Sequence, residues 1–96
     1  MRVISHGRIV EAMARYPEAA SALDPWYRMV KKAEPQSFAD LRGLFGSVDR
    51  VGHYHVFDIG GNKLRLIAAI HFHRSNLFVR HVLTHAEYDR GRWKET

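Results

Sequence analysis

The segment Val56–Asp89, VFDIGGNKLRLIAAIHFHRSNLFVRHVLTHAEYD, decides the fold of this chain. Gly60-Gly61-Asn62 separates two runs rich in β-branched and aromatic residues, and residues of this kind tolerate the positive φ that tight hairpin turns require. A second turn is expected at Arg74-Ser75-Asn76. The segment therefore predicts an antiparallel meander of three strands, over residues 53–59, 63–73 and 77–84.

The middle strand has two different faces, because side chains alternate along a strand. One alternate set is entirely apolar: Leu64, Leu66, Ala68, Ile70 and Phe72. The other set is polar at its ends and apolar or small between them: Lys63, Arg65, Ile67, Ala69, His71 and His73. One face is therefore expected to be buried and the other to be partly exposed to solvent. The pattern does not decide which set of side chains packs against the helices. It leaves the other face of the sheet available for a role other than forming the core.

Helical patterns precede the sheet. Met1–Ile4 predicts an edge strand, followed by a helix that Ser5 caps and Pro17 ends. The apolar face of this helix is predicted to hold Ile9, Val10, Met13 and Tyr16. A second helix is predicted over Glu18–Ala33, with a buried stripe of Leu23, Trp26, Tyr27 and Val30.

Asp24-Pro25 interrupts the second helix pattern. Either the helix kinks there, or a turn precedes a helix that Asp24 caps with Pro25 in its first turn, and we favour the turn. Ser37 is predicted to open a short helix through Leu44, and Thr84 to cap a helical turn over residues 85–89. A polar tail, frayed at its end and anchored by Trp93, completes a single α+β domain over residues 1–96.

Composition narrows the function. No run approaches the roughly 20 apolar residues that span a bilayer, and no signal-like segment follows the start, so no membrane partner and a cytoplasmic location are expected. The chain has no cysteine, which excludes disulfides and thiolate metal sites. Residues 61–96 carry seven basic and three acidic side chains, against eight and seven in residues 1–60. Eleven arginines against four lysines suit bidentate phosphate contacts, although a merely basic soluble surface is equally consistent with charge alone.

The histidine spacings allow two kinds of chemistry. Three pairs have spacings that could share a metal ion: His53-x-His55, His71-x-His73 and His81-x3-His85. Carboxylates are scarce near these pairs and no HExxH motif exists, so no metal or other cofactor is expected.

Metal-free RNA cleavage is the other use of such residues. It needs a base for the 2′-OH, an acid for the leaving 5′-oxygen and cations for the charge on phosphorus. The chain supplies these groups close together in sequence, with aromatic residues that can stack on a base: Lys63, Arg65, Arg80, His81, His85, Tyr88 and Trp93. Each also has a structural interpretation; Arg65 and Arg80, for example, could simply pair with Asp58, Asp89 or Glu87.

The sequence resembles the HigB family of type II toxin–antitoxin systems, within the RelE/ParE superfamily of small toxins. The most specific carriers are the GGNxxR segment Gly60–Arg65 and the THxxYD segment Thr84–Asp89. Further carriers are the segments 26–32, 37–42, 56–68 and 82–89, in order along the chain. Pro25 departs from the helix former expected beside Trp26, which affects the start of that helix.

The resemblance implies a RelE-like fold, with helices on one face of a small antiparallel sheet and RNA on the other. It implies a metal-independent mRNA endoribonuclease acting on ribosome-bound message, with a HigA-type helix-turn-helix antitoxin as partner. By position, it implies catalytic roles for His85, Arg65 and Arg80. The proposed substrate contacts are Lys63, Tyr88, His81, His53, His55 and Lys94.

One alternative within the same fold is a ParE-like toxin that poisons DNA gyrase without nuclease chemistry. A histidine-rich sheet face argues against it, because a surface that only binds protein does not need groups that titrate near neutrality.

Overall fold

A computed structural model describes residues 1–61 and 63–95 of the chain. Its strands and helices follow in the order β1 (Arg2–Ile4), α1 (His6–Arg15), α2 (Ala20–Lys32), α3 (Phe38–Leu44), β2 (Asp49–Val51), β3 (Tyr54–Ile59), β4 (Leu64–His71), β5 (Asn76–Thr84) and α4 (His85–Arg90). Short 3-10 turns lie at Pro17–Ala19, Phe72–Arg74 and Arg92–Glu95. The predicted α+β class is confirmed. Within the described ranges, no helix combines the length and apolar character that crossing a membrane requires.

The five strands form one sheet in the order β1-β5-β4-β3-β2. The predicted meander is confirmed, because β3, β4 and β5 pair antiparallel. The expectation of a wholly antiparallel sheet is wrong, since β1 pairs parallel with β5. The sequence patterns above do not predict strand β2, which pairs antiparallel with β3. Gly60 and Gly61 both have φ near +65°, as a tight turn requires, and Asn62 lies outside the described residues.

The helices cover one side of the sheet, here called the helix face. Alternate residues of β4 decide this side: Leu64, Leu66 and Ala68 are buried against the helices together with Leu77 and Val79 of β5. The fully apolar set of β4 is therefore the one that faces the helices, which the periodicity alone left open. The other side, here called the second face, holds a smaller cluster built around Ile67 and Trp93.

The first helix uses a narrower apolar face than predicted. Ile9 and Ala12 are buried, whereas the side chain of Val10 is 51% exposed, so its assignment to the core is wrong. Spacing explains the error, because positions 9, 12, 13 and 16 follow one helical face and position 10 does not. Ser5 occupies the cap position with φ 71° and its side chain makes no capping hydrogen bond, so the predicted side-chain cap is also wrong.

The second helix runs without a break through Pro25, so the favoured interpretation of a turn capped by Asp24 is wrong. Leu23 and Trp26 lie on either side of Pro25 and are both buried, and a break there would separate them. Their burial offsets the backbone hydrogen bond that proline cannot make. Asp24 instead pairs with Arg28 at 3.1 Å.

Candidate active site

A β-bulge in β5 determines which residues reach the second face. Ile67 of β4 pairs with His81, but the next residue, Ala68, pairs with Val79, so Arg80 is the extra residue of the bulge. A bulge shifts the alternation by one position. Leu77 and Val79 face the helices before the bulge, and Val82 packs on the same core after it. His81 is thereby placed on the second face, beside Ile67.

An ion pair lies under aromatic rings on this face. Arg65 and Asp58 are cross-strand partners, and Arg65 Nε lies 3.1 Å from Asp58 Oδ1. The guanidinium of Arg65 also lies 5.8 Å from the ring centroid of Tyr88. Tyr88 stacks on Trp93 at 5.2 Å, and the indole Nε1 donates to the Tyr88 carbonyl oxygen at 3.0 Å. The C-terminal tail is thus folded onto the sheet through the predicted anchor, Trp93. The end of the tail, where fraying is expected, reaches Thr96, which lies outside the described residues.

Two concave regions meet at His81. The first, here called the α1 hollow, has a volume of about 190 Å³ and lies between α1 and β5. The second, here called the α4 hollow, has a volume of about 330 Å³ and lies between β5, α4 and the C-terminal tail. His81 and Leu83 line both hollows. The charged residues of the two hollows are Arg8, Glu11, Arg15, Glu87, Arg90 and Arg92.

The electrostatic environment favours neutral histidine at the junction. Partial burial lowers the pKa of His81, and the positive charges of Arg8 and Arg80 lower it further. At neutral pH the imidazole is therefore largely unprotonated and able to accept a proton. Arg80 itself is exposed, and its carbonyl oxygen accepts a hydrogen bond from Arg8 Nη1 at 2.8 Å.

Helix α4 positions the predicted catalytic histidine. Thr84 and Glu87 form a capping box, with the Thr84 hydroxyl accepting from the Glu87 N–H and the Glu87 carboxylate accepting from the Thr84 N–H. The predicted cap at Thr84 is confirmed. His85 is the first residue of the helix, is exposed, and has its Nε2 3.4 Å from the carboxylate of Asp89. Glu87 also accepts a hydrogen bond from the hydroxyl of Tyr16 at 3.3 Å, which ties α4 to α1.

The remaining predicted contacts divide between the two sides of the sheet. His53 and Lys94 line a third hollow of about 170 Å³ with Tyr54 and Trp93, so the second face brings these two residues together. Lys63 lies next to the helices, where its Nζ donates to the Glu18 carbonyl oxygen at 3.3 Å.

His55 is not part of this group. It is buried on the helix face, where its ring contacts Phe38 and Phe72 at centroid distances of 5.6 Å. The expectation that His55 contacts RNA from the second face therefore disagrees with its position.

The sequence interpretation missed four arginines that line the hollows. Arg8 and Arg15 belong to α1, for which the sequence pattern predicts only an apolar face, whereas Arg90 ends α4 and Arg92 belongs to the tail. Arg8 and Arg15 are seven residues apart, which places them on one helical face. That spacing was the available signal. Across residues 1–61 and 63–95, no group of three or more His, Asp or Glu side chains gathers as a metal site would require.

Comparison with known proteins identifies the family. The model of the HigB toxin family, described as the RelE-like toxic component of a toxin–antitoxin system, matches residues 19–91. An mRNA interferase HigB of Escherichia coli O6:H1 strain CFT073 is 37% identical, over 94% of this chain and 90% of that protein. The mRNA interferase toxin HigB of Escherichia coli K12 and the mRNA interferase HigB of Shigella flexneri are each 29% identical, over 93% of this chain and 88% of theirs. This chain therefore belongs to the HigB toxin family, the RelE-like toxins of toxin–antitoxin systems.

Proposed function

We propose that this protein is an mRNA interferase, a toxin that cuts messenger RNA and so arrests translation. The observation that carries the proposal is the match, over more than nine-tenths of the chain, to relatives named mRNA interferase. Membership of a toxin–antitoxin family implies an antitoxin as partner. The proposal further specifies a HigA-type helix-turn-helix antitoxin, ribosome-bound mRNA as substrate, and the cytoplasm as the place of action.

The proposed reaction is an internal transesterification that needs no metal. A base removes the proton of the 2′-OH, the 2′-oxygen attacks phosphorus, and the 5′-oxygen leaves as it takes a proton from an acid. The products are a 2′,3′-cyclic phosphate and a 5′-hydroxyl. His81 is proposed as the base, because its lowered pKa keeps the ring neutral at pH 7. His85 is proposed as the acid, with the Asp89 carboxylate orienting its ring.

Arginines are proposed to stabilise the pentavalent phosphate. Arg80 is exposed beside His81 at the bulge, so its guanidinium can reach a phosphate bound there. Arg65 is 8% exposed and paired with Asp58, so direct contact with a phosphate requires it to leave that pair. Its predicted role as a phosphate clamp stays a prediction. The geometry better supports Arg65 as a positioning residue that holds Tyr88 over the sheet.

Substrate contacts are proposed along the second face. Tyr88 is partly buried and stacked on Trp93, and it offers an aromatic edge beside the Arg65–Asp58 pair. His53 and Lys94 flank the third hollow at the far end of the same face. Lys63 remains a peripheral contact at the β3–β4 turn, because its ammonium group lies next to Glu18. His55 is left out of the proposed site because it lies on the helix face.

The test is primer extension on a reporter mRNA after brief induction of the toxin, with His81→Ala and His85→Ala beside the wild type. Cuts within translated codons are expected from the wild type, and both variants are expected to lose most of them. Toxin that is treated with EDTA and dialysed before it is added to an untreated extract should cut as the untreated toxin does. The same RNA, incubated with toxin but without ribosomes, should stay intact if the message must be ribosome-bound.

Each outcome bears on a different part of the proposal. Cuts that persist in His85→Ala would remove that residue as the acid, and cuts that persist in His81→Ala would remove the proposed base. Growth arrest with an intact message and an induced DNA-damage response would overturn the nuclease and favour gyrase poisoning. An Arg65→Ala protein that arrests translation at the wild-type rate would exclude Arg65 from any direct role.

A further inference from the structure

We propose that the α1 hollow is a phosphate-binding groove that receives the RNA strand on the α1 side of His81, with Arg8 and Arg15 as its phosphate contacts. The inference rests on the proposed RNA cleavage and adds a path for the strand beyond the reacting phosphate. It concerns a helix that the family motifs quoted above do not include. Its chemical target is the backbone of single-stranded RNA.

The two arginines are placed to contact different phosphates. They are seven residues apart on α1, which corresponds to about 10 Å along the helix axis. Both line the α1 hollow, and both are exposed. A single phosphate could contact both guanidinium groups only if the two side chains converged, and Arg8 is instead hydrogen-bonded at the Arg80 carbonyl oxygen, whereas an extended strand crossing the hollow can contact each in turn. The pair therefore fits a polyanion better than a small anion.

The groove is continuous with the proposed reaction centre. His81 and Leu83 line the α1 hollow and also the α4 hollow, which Arg90 and Arg92 line as well. A strand bound across His81 would thus have two arginines on each side of the scissile phosphate. The hydrogen bond between Tyr16 and Glu87 joins α1 to α4 and fixes one end of the α1 hollow.

Arg8 and Glu11 each have a second effect on the proposed groove, and substitutions can separate that effect from phosphate binding. Arg8 Nη1 is hydrogen-bonded to the carbonyl oxygen of Arg80, so Arg8 also supports the bulge. A loss of function in Arg8→Ala alone could therefore reflect movement of His81. Arg15 has a simpler environment, with its guanidinium 5.4 Å from the ring of Tyr16. Glu11 lies in the same hollow, where its negative charge opposes a phosphate.

The experiment measures RNA binding separately from cleavage. In a His81→Ala background, the affinity for a fluorescein-labelled single-stranded oligoribonucleotide is measured by anisotropy from about 50 to 200 mM salt. The variants are Arg15→Ala, Arg8→Ala/Arg15→Ala and Glu11→Gln. The matched control is Arg28→Ala, which removes another exposed arginine, from α2, where it pairs with Asp24. Circular dichroism checks that each variant is folded.

The expected change in RNA binding depends on the number and the sign of the charges that each variant removes. Each arginine removed should lower the slope of log affinity against log salt by about 0.7, so the double variant should lose about 1.4. The double variant should also bind several-fold more weakly at low salt. Glu11→Gln should bind two- to three-fold more tightly, by about the effect expected of one charge near an exposed site. Arg28→Ala should leave both affinity and slope unchanged.

The outcomes separate this inference from the proposed function. Arg15→Ala and the double variant matching Arg28→Ala would overturn the groove, even if the wild type cuts mRNA. If the wild type never cuts RNA but the arginine variants show a reduced salt slope, the result would support the groove and overturn the proposed nuclease activity. Unchanged RNA binding together with lost binding of the antitoxin would assign the α1 hollow to the antitoxin and overturn the inference.

Discussion

His55 gives the sharpest prediction of the fold, because its polar ring is buried and makes no hydrogen bond to any of the described residues. The side chain is 5% exposed on the helix face, and among the described residues neither ring nitrogen has a hydrogen-bond partner. The aromatic rings of Phe38 and Phe72 lie on either side. An unsatisfied polar group in such a site costs about 1–3 kcal/mol. Leucine has a similar volume and no polar atoms, so His55→Leu should stabilise the fold by that amount.

The pH dependence follows from the same burial. Burial lowers the pKa of His55, and the positive charge of Arg50, its cross-strand partner, lowers it further. The folded state then binds fewer protons than the unfolded state below the ordinary pKa of about 6.5. The contribution of His55 to folding stability is therefore constant above that pH and falls as the pH drops through it toward the lowered pKa. His55→Leu should lose less stability on acidification, although His81 has a lowered pKa as well and leaves part of the slope.

The assay is equilibrium urea unfolding followed by tryptophan fluorescence, at pH values from about 5 to 8. The wild type is compared with His55→Leu and with His73→Leu, which replaces an exposed histidine of the Phe72–Arg74 turn. The control should match the wild type. A His55→Leu protein that is less stable at pH 7.5, or that keeps the full acid sensitivity, would show that the ring is satisfied or unimportant and would refute the reasoning.

Three further substitutions test the elements around the candidate site by urea unfolding. Asp58→Ala should destabilise by about 1–3 kcal/mol, because it leaves the Arg65 guanidinium buried without this partner. Replacing Arg65 by methionine in the same protein should restore most of the loss, and a double variant no better than the single one would contradict this account. Thr84→Ala should cost about 1 kcal/mol through loss of the capping box, and no change would mean that α4 needs no cap. Pro25→Ala should stabilise by about 1–3 kcal/mol, since alanine restores a helix-interior N–H; destabilisation would show that α2 depends on the proline.

Local patterns were sufficient for the elements whose signals are local. The turn glycines Gly60 and Gly61 and the cap residues Ser37 and Thr84 stand where the sequence places them. The direction of β1 was not predictable, because its partner β5 lies more than 70 residues away and three residues carry no signal for direction. Pro25 misled the prediction for a related reason. Local helix propensity predicts a break at the proline. The burial of the apolar residues on both sides of it, a tertiary effect, keeps the helix continuous.

The site was harder to predict than the fold because it depends on one inserted residue. With regular alternation from Leu77 onward, position 81 would face the helices and Val82 would face outward. The bulge at Arg80 reverses this, so that Val82 joins the core and His81 enters the second face beside Ile67. The periodicity of the strand does not reveal a bulge of this kind. With or without the bulge, one apolar residue after position 80 would face the helices. Deleting Arg80 should therefore leave a regular strand in which His81 stays on the second face and Val82 stays in the core, so that cleavage falls about as far as in Arg80→Ala. A deletion variant that cleaves far less than Arg80→Ala would mean that the chemistry depends on the bulge geometry itself and not only on the face that His81 occupies.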